Sequence, residues 1–225
     1  MFWSEMNLQK KSSSVHGWLW AGLLSLLLAT ITFFSAPAAL SDSLAPEESF
    51  WQTQVNTARQ LLQTDSNNLD HQFRLATAQA MLGKVEESMS SFETLTNLGA
   101  DDNYAKIIVA RYGGKSEYHD DLLIQSFLAF AYYVNKDYPS SVKAFDRVIE
   151  LDPLNPWPLN YQGFSLYKCG QLDVAVLRLQ KSLQLQPNNQ YTHGLLGLAY
   201  YEQGHFLKAI AQFAKAPGVI KKIFR

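Results

Sequence analysis

The sequence is poor in several things, and each shortage closes a class of function. It has one cysteine, Cys169, so no intrachain disulfide forms and a disulfide-stapled fold is excluded. An isolated cysteine of this kind reads as a small apolar residue rather than a reactive thiol. Charged residues make up 17% of 225 residues and the net charge is -1, so the excess of positive charge that nucleic-acid binding requires is missing. His16, His71, His119, His193 and His205 do not form H-E-x-x-H, and neither a G-x-S-x-G elbow nor a G-x-G-x-x-G loop occurs. Glu86 and Glu87 are adjacent on a predicted helix, so they do not face each other and read as a solvated face. No enzyme, cofactor or metal is expected from these residues.

Apolar residues are plentiful at 47%, enough for a packed core. One stretch is continuous. From Ser12 to Ser41 there is no formal charge if His16 is neutral, and the apolar heart is Gly17–Phe34. As a helix, its eighteen residues reach roughly 27 Å, just short of a ~30 Å hydrocarbon core. Trp18 and Trp20 stand near its start, where interfacial aromatics belong. Lys10 and Lys11 precede it and predict a cytoplasmic N-terminus, with everything after the segment outside the cytoplasm. The length favours an uncleaved signal anchor at residues 17–34. Ala36-Pro37-Ala38 keeps a cleaved signal peptide as the alternative, giving a secreted or periplasmic product.

The rest of the chain is periodic. Pro153 and Pro187 are 34 residues apart, and so are Ala129, Gly163 and Gly197. Ser141, Ala175 and Ala209 keep the same spacing, as do Phe145, Leu179 and Phe213, and Tyr132, Leu166 and Tyr200. An earlier unit aligns Ala76, Ser88, Phe92 and Gly83 with these columns, but stands 53 residues before the second unit, so 19 residues are inserted. Each unit reads as two helices. Small residues on both helices permit close backbone approach, a large residue fills the space between them, and Pro153 and Pro187 end the second helix.

Leu196-Gly197, Tyr200, Ala209 and Phe213 carry a family resemblance: the unit resembles the tetratricopeptide repeat (TPR), W-x2-L-G-x2-Y…A-x3-F…P. The tryptophan column holds Gln125, Leu159 and His193 instead. The resemblance implies an all-α, right-handed superhelical solenoid of helical hairpins behind an N-terminal apolar helix. The expected organisation is an anchor or signal peptide over residues 1–39 and a linker with a capping helix over 40–68. A degenerate first repeat follows at 69–102, then an insertion at 103–121. Repeats fill 122–155 and 156–189, and a last repeat with a basic tail fills 190–225. Trp51, Val55, Ala58 and Leu62 predict one face of the capping helix, which starts at Pro46. Ala216-Pro217-Gly218 is expected to stop the last repeat helix, and the tail Val219–Arg225 with Lys221, Lys222 and Arg225 to be a solvated end, a basic contact with a membrane surface or partner being the alternative. In the insertion, a short helix over Tyr104–Tyr112 precedes the loop GGKSEYHDD. Gly113-Gly114-Lys115-Ser116 lacks the earlier glycine of a phosphate-binding loop, Val109 standing in its place, and Asp120 reads as a helix cap rather than a metal ligand.

The resemblance also implies that the first helix of each unit lines a concave groove with its second, fifth, ninth, twelfth and thirteenth positions. In the second unit these are Leu123, Ser126, Phe130, Tyr133 and Val134; in the third, Trp157, Asn160, Phe164, Tyr167 and Lys168; in the last, Tyr191, Gly194, Leu198, Tyr201 and Glu202. The residues expected to hold a partner are Tyr133, Trp157, Asn160, Phe164, Tyr167, Lys168, Tyr191 and Tyr201. Aromatic side chains offer large contact area at low entropic cost, so the partner is a protein or peptide. The same positions also serve as core between repeats. Asn160 and Lys168 have no arginine beside them, so a carboxylate clamp is not expected. The function read from this pattern is a membrane-tethered protein-interaction scaffold with its repeats outside the cytoplasm. The alternative is a holdase for secreted or unfolded chains.

Overall fold

The 34-residue period resolves into pairs of antiparallel helices. The computed structural model describes residues 46–100 and 102–219. The expected anchor at 17–34 and the basic residues Lys221, Lys222 and Arg225 lie outside them. The described helices are α1 (Pro46–Thr64), α2 (Leu69–Met81), α3 (Val85–Asn97), α4 (Asp102–Tyr112), α5 (Leu122–Val134), α6 (Tyr138–Leu151), α7 (Pro156–Lys168), α8 (Leu172–Leu185), α9 (Gln190–Glu202) and α10 (Phe206–Phe213), with a 3-10 turn at Ser116–Tyr118. No strand occurs among the described residues. None of these helices is long and apolar enough to cross a membrane.

The helix boundaries have local causes that repeat. Asn68, Asp121, Asn155 and Asn189 each accept a backbone N–H in the first turn of α2, α5, α7 and α9, satisfying a donor that the helix leaves unpaired. These four caps keep the 53- and 34-residue spacing of the other columns. The α5 cap is therefore Asp121 and not the expected Asp120, which pairs with Arg147 instead. Each hairpin turn passes through the left-handed region, at Gly83, Lys136, Gly170 and Gly204. The helices α6 and α8 end at Leu151 and Leu185, two residues before Pro153 and Pro187.

Within each hairpin the small columns set the helix separation. A Cβ placed on Gly163 would lie 2.7 Å from Leu179 Cδ2, and one on Gly197 would lie 2.5 Å from Phe213 Cδ1. In the hairpins without glycine there, Ala76 and Ala129 carbonyls accept bonds from Ser88 and Ser141 hydroxyls at 2.8 and 3.3 Å. The hairpins α5–α6, α7–α8 and α9–α10 stack in chain order, α6 against α7 and α8 against α9.

The N-terminal region departs from simple stacking. Helix α4, from the insertion, packs on α5 and buries Tyr104, Ala105 and Ile108. The insertion is therefore not a detachable surface loop: its helix completes the core beside Phe73, Phe127 and Phe130. Asp70 of α2 accepts Tyr104 Oη at 2.5 Å and Arg111 Nη1 at 2.8 Å. Helix α1 buries Trp51, Val55 and Ala58 completely, and Trp51 Nε1 donates to the buried Asp152 at 2.9 Å. The last repeat helix stops at Phe213, three residues before the expected Ala216-Pro217-Gly218 signal. Residues 217–219 are helical again, and Val219 packs, 3% exposed, against Tyr191 and Leu198. The start of the tail is thus a packed cap rather than a solvated end.

Candidate protein-binding groove

Helices α5, α7 and α9 present their first-helix faces to one side, and across from them lies α3, the second helix of the first unit. Between them is a cleft of about 740 Å³. Its apolar lining comes from Val85, Met89 and Phe92 on α3, Phe130, Tyr133 and Val134 on α5, Trp157 and Tyr161 on α7, and Tyr191 and Leu195 on α9. Glu86 and Glu93 of α3 are its charged lining residues.

The hairpin α2–α3 is fastened to this face by contacts far apart in sequence. Asn155 Nδ2 donates to Met81 O at 3.1 Å, and Tyr161 Oη to Ala80 O at 3.4 Å. The Trp157 ring occupies the space above Gly83, where a Cβ would meet it at 2.1 Å, so this turn needs glycine for room as well as for its φ of +71°. One turn further along α3, Tyr191 Oη donates to the Glu86 carboxylate. Burial, then this carboxylate, raises the Tyr191 hydroxyl above its ordinary range, so it stays protonated and donates. Phe92 packs on Phe130 with ring centres 6.1 Å apart.

The expected partner residues separate into two groups. Tyr133, Trp157, Asn160 and Tyr191 line the cleft. Trp157 and Asn160 are nevertheless 8% and 3% exposed, and Asn160 Nδ2 is spent on Thr192 Oγ1 at 3.0 Å. They form its wall more than a free contact surface. Phe164, Tyr167, Lys168 and Tyr201 lie elsewhere. Phe164 is buried between units beside Tyr133 and Tyr138. Tyr167 is half-buried against Phe164 and its hydroxyl, pushed up to about 12 by burial and by Glu202, approaches Glu202 at 3.4 Å. The Lys168 ammonium sits over the Tyr138 and Phe164 rings. Tyr201 is exposed against the edge of Phe206. Asn160 and Lys168 therefore do not converge as a carboxylate clamp. Gly194, another expected groove position, is covered by Val219.

Met89 and Glu93 are not expected at the cleft, Phe92 is expected only as the filler of its hairpin, and Glu86, expected on a solvated face, instead lines the cleft and accepts from Tyr191, because a second helix of a regular stack faces away from the groove. The inserted 19 residues are the signal that this unit stacks differently. Cys169 follows α7, its thiol pushed up by burial and by Asp137, so it is not a ready thiolate. Among the described residues, no group of three or more His, Cys, Asp or Glu side chains is placed to hold a metal ion.

The described helices form an all-helical solenoid of TPR-like hairpins. Residues 163–204 match the family model described as TPR repeat. The small glutamine-rich tetratricopeptide repeat-containing protein 2 of Mycosarcoma maydis is 25% identical over 80 residues, which are 36% of this chain and 23% of that protein. The chain thus matches less than a quarter of that relative's length. Among solved structures, MamA MSR-1 C2 is similar with a TM-score of 0.44 and 19% identity, covering 78% of this chain and 90% of that one. A crystal structure of MamA gives 0.42 and 17%, covering 81% and 98%. The sequence matches are to TPR repeats, and the family model falls on α7–α9 and the turns that join α7 to α8, α8 to α9 and follow α9.

Proposed function

We propose that this protein is an interaction scaffold that takes a segment of a partner protein in the cleft between α3 and the first helices of the later repeats. The carrying observation is the cleft itself: a mainly apolar concavity of about 740 Å³ between helices, with Phe92, Phe130, Tyr133, Trp157, Tyr161 and Tyr191 in its lining. Clefts of this size hold a few side chains, which suits a peptide or helix laid into a groove rather than a docked domain. The repeats stand outside the cytoplasm, tethered through residues 17–34, with Lys10 and Lys11 retained inside.

Affinity capture tests the cleft. Full-length protein and a Met89→Ala/Phe92→Ala variant are compared for co-purifying chains, after circular dichroism shows equal helix content. Loss of one saturable partner from the variant is expected. Unchanged capture with unchanged affinity would reject the cleft as the site. Topology is tested by protease added to intact spheroplasts, which should digest residues 40–225; protection of that region overturns the tether orientation.

A further inference from the structure

We infer that the outer face of α10 docks on an anionic lipid surface. The inference stands apart from the cleft and holds or fails without it. Phe206, Leu207, Ile210, Ala211 and Ala214 recur at spacings that share one side of a helix, and Phe206 and Leu207 are 57% and 85% exposed. Lys208 and Lys215, both exposed, stand at the border of this stripe. Among the described residues no carboxylate pairs with either lysine, and Lys208 sits over the Tyr200 ring. From His205 to Arg225 there are five lysines and arginines and no aspartate or glutamate, in a chain of net charge -1.

The second helices of the preceding units differ at the same positions. Asp146 of α6 accepts from Gln162 of α7 at 2.7 Å, and Asp173 of α8 accepts from Gln203, just after α9, at 2.7 Å. These acids join one unit to the next. By the 34-residue register Leu207 stands where Asp173 does, and Ala214 stands two periods after Asp146. Val176 of α8 is buried with Leu195 and Leu196 of α9, whereas its counterpart Ile210 stays half-buried. The face of α10 thus has apolar side chains in place of the acceptors that suit another repeat. A second copy of the same face would bring lysines against lysines. Glu202, across the turn from α10, accepts from Tyr167 of α7. An apolar stripe bordered by lysines is the pattern of a helix lying in a membrane interface. Its apolar side chains enter the acyl boundary while its cations meet lipid phosphates.

The test mixes the full-length chain with vesicles of phosphatidylcholine alone or of phosphatidylcholine and phosphatidylglycerol. Residues 17–34 are apolar enough to bring the chain to either vesicle, so the readout is local amide exchange. Each lysine near an anionic surface contributes about fivefold in affinity, so α10 amides should exchange about tenfold or more slowly with the anionic vesicles than with the neutral ones. Amides of α6 should keep their rates, and high salt should shrink the difference. Lys208→Gln/Lys215→Gln should reduce the difference about fivefold or more. Phe206→Gln/Leu207→Gln should abolish it. Both side chains are exposed, so the hairpin should survive; if exchange without vesicles departs from the parent, Leu207→Gln alone is read instead. Equal rates on the two vesicles, or a difference that Lys208→Gln/Lys215→Gln leaves undiminished, overturn the inference. Slowing of α10 that grows with protein concentration in the absence of vesicles also overturns it, and assigns the face to a second copy of the chain.

Discussion

The hairpins α5–α6, α7–α8 and α9–α10 follow one another by backbone fit, whereas α2–α3 is attached to them by side chains. In the stacked units Ala129, Gly163 and Gly197 set how closely two helices approach, and each helix meets the next through neighbouring sequence. The attachment of the first unit and the α1 helix packed on it depends instead on Trp51 of α1 with Asp152, Asn155 with Met81, Trp157 over Gly83 and Tyr191 with Glu86. Short-range periodicity therefore builds the rigid half of the cleft, and a few contacts of long sequence separation build the other half. The second kind is easier to remove singly, so the two regions should fail separately.

The largest effect is expected at Trp51. Trp51→Ala deletes a fully buried ring and leaves the buried Asp152 carboxylate with Asn155 but without its indole donor. Removal of a buried tryptophan costs about 3–5 kcal/mol. Urea unfolding should show this loss, and amide exchange should quicken in α1–α4 while α7–α10 stay protected. Equal quickening in both regions would refute the division.

Gly197→Leu strikes the stacked region instead. Its Cβ would sit 2.5 Å from Phe213, so the hairpin must open, at a cost of about 1–3 kcal/mol. Exchange should quicken in α9 and α10 and not in α2–α3. A variant that melts no lower than the parent would show the repeat register to be wrong.

Asp70 ties α2 to α4 and sets a pH dependence. Burial raises its carboxyl, but bonds from Tyr104 and Arg111 outweigh this and hold it below its ordinary value of 3.8. A depressed carboxyl stabilises the fold above its unfolded value, and that contribution is lost as pH falls through the folded value. Asp70→Asn should therefore cost about 1 kcal/mol near neutrality, the pairs being partly exposed. The gap between variant and parent should close on acidification below about pH 4. A gap that persists at pH 2 would remove Asp70 as its cause.

What the sequence made legible follows the same division. The columns of alanine, glycine and phenylalanine show the hairpins because each is a local steric requirement repeated every 34 residues. The cap column Asn68, Asp121, Asn155 and Asn189 was equally visible and would have placed Asp121, not Asp120, at the start of α5. The wall made by α3 was not legible. Nothing local to Met89 or Phe92 distinguishes an outward second helix from one folded across the first helices. That placement depends on Trp157 meeting Gly83 and on α4 filling the core, contacts set only when the chain has folded.

The smallest effect tests the bond between Tyr191 and Glu86 at the rim of the cleft. Tyr191→Phe keeps the ring beside Trp157, 6.2 Å away, and removes the hydroxyl that donates to Glu86. A single partly exposed hydrogen bond contributes about 0.5 kcal/mol, so the melting temperature should scarcely move. The informative readout is local. Amides of α3 should exchange about twofold faster, the factor that such a free energy gives for an opening equilibrium, while those of α5 and α6 stay as they were. The Tyr191 hydroxyl is held above its ordinary value of 10.0, so it stays protonated and the bond to Glu86 is present throughout the neutral range. If the α3 amides do not respond to Tyr191→Phe, the bond to Glu86 does not hold α3, and the contacts of Gly83, Met81, Ala80 and Phe92 with α5 and α7 suffice.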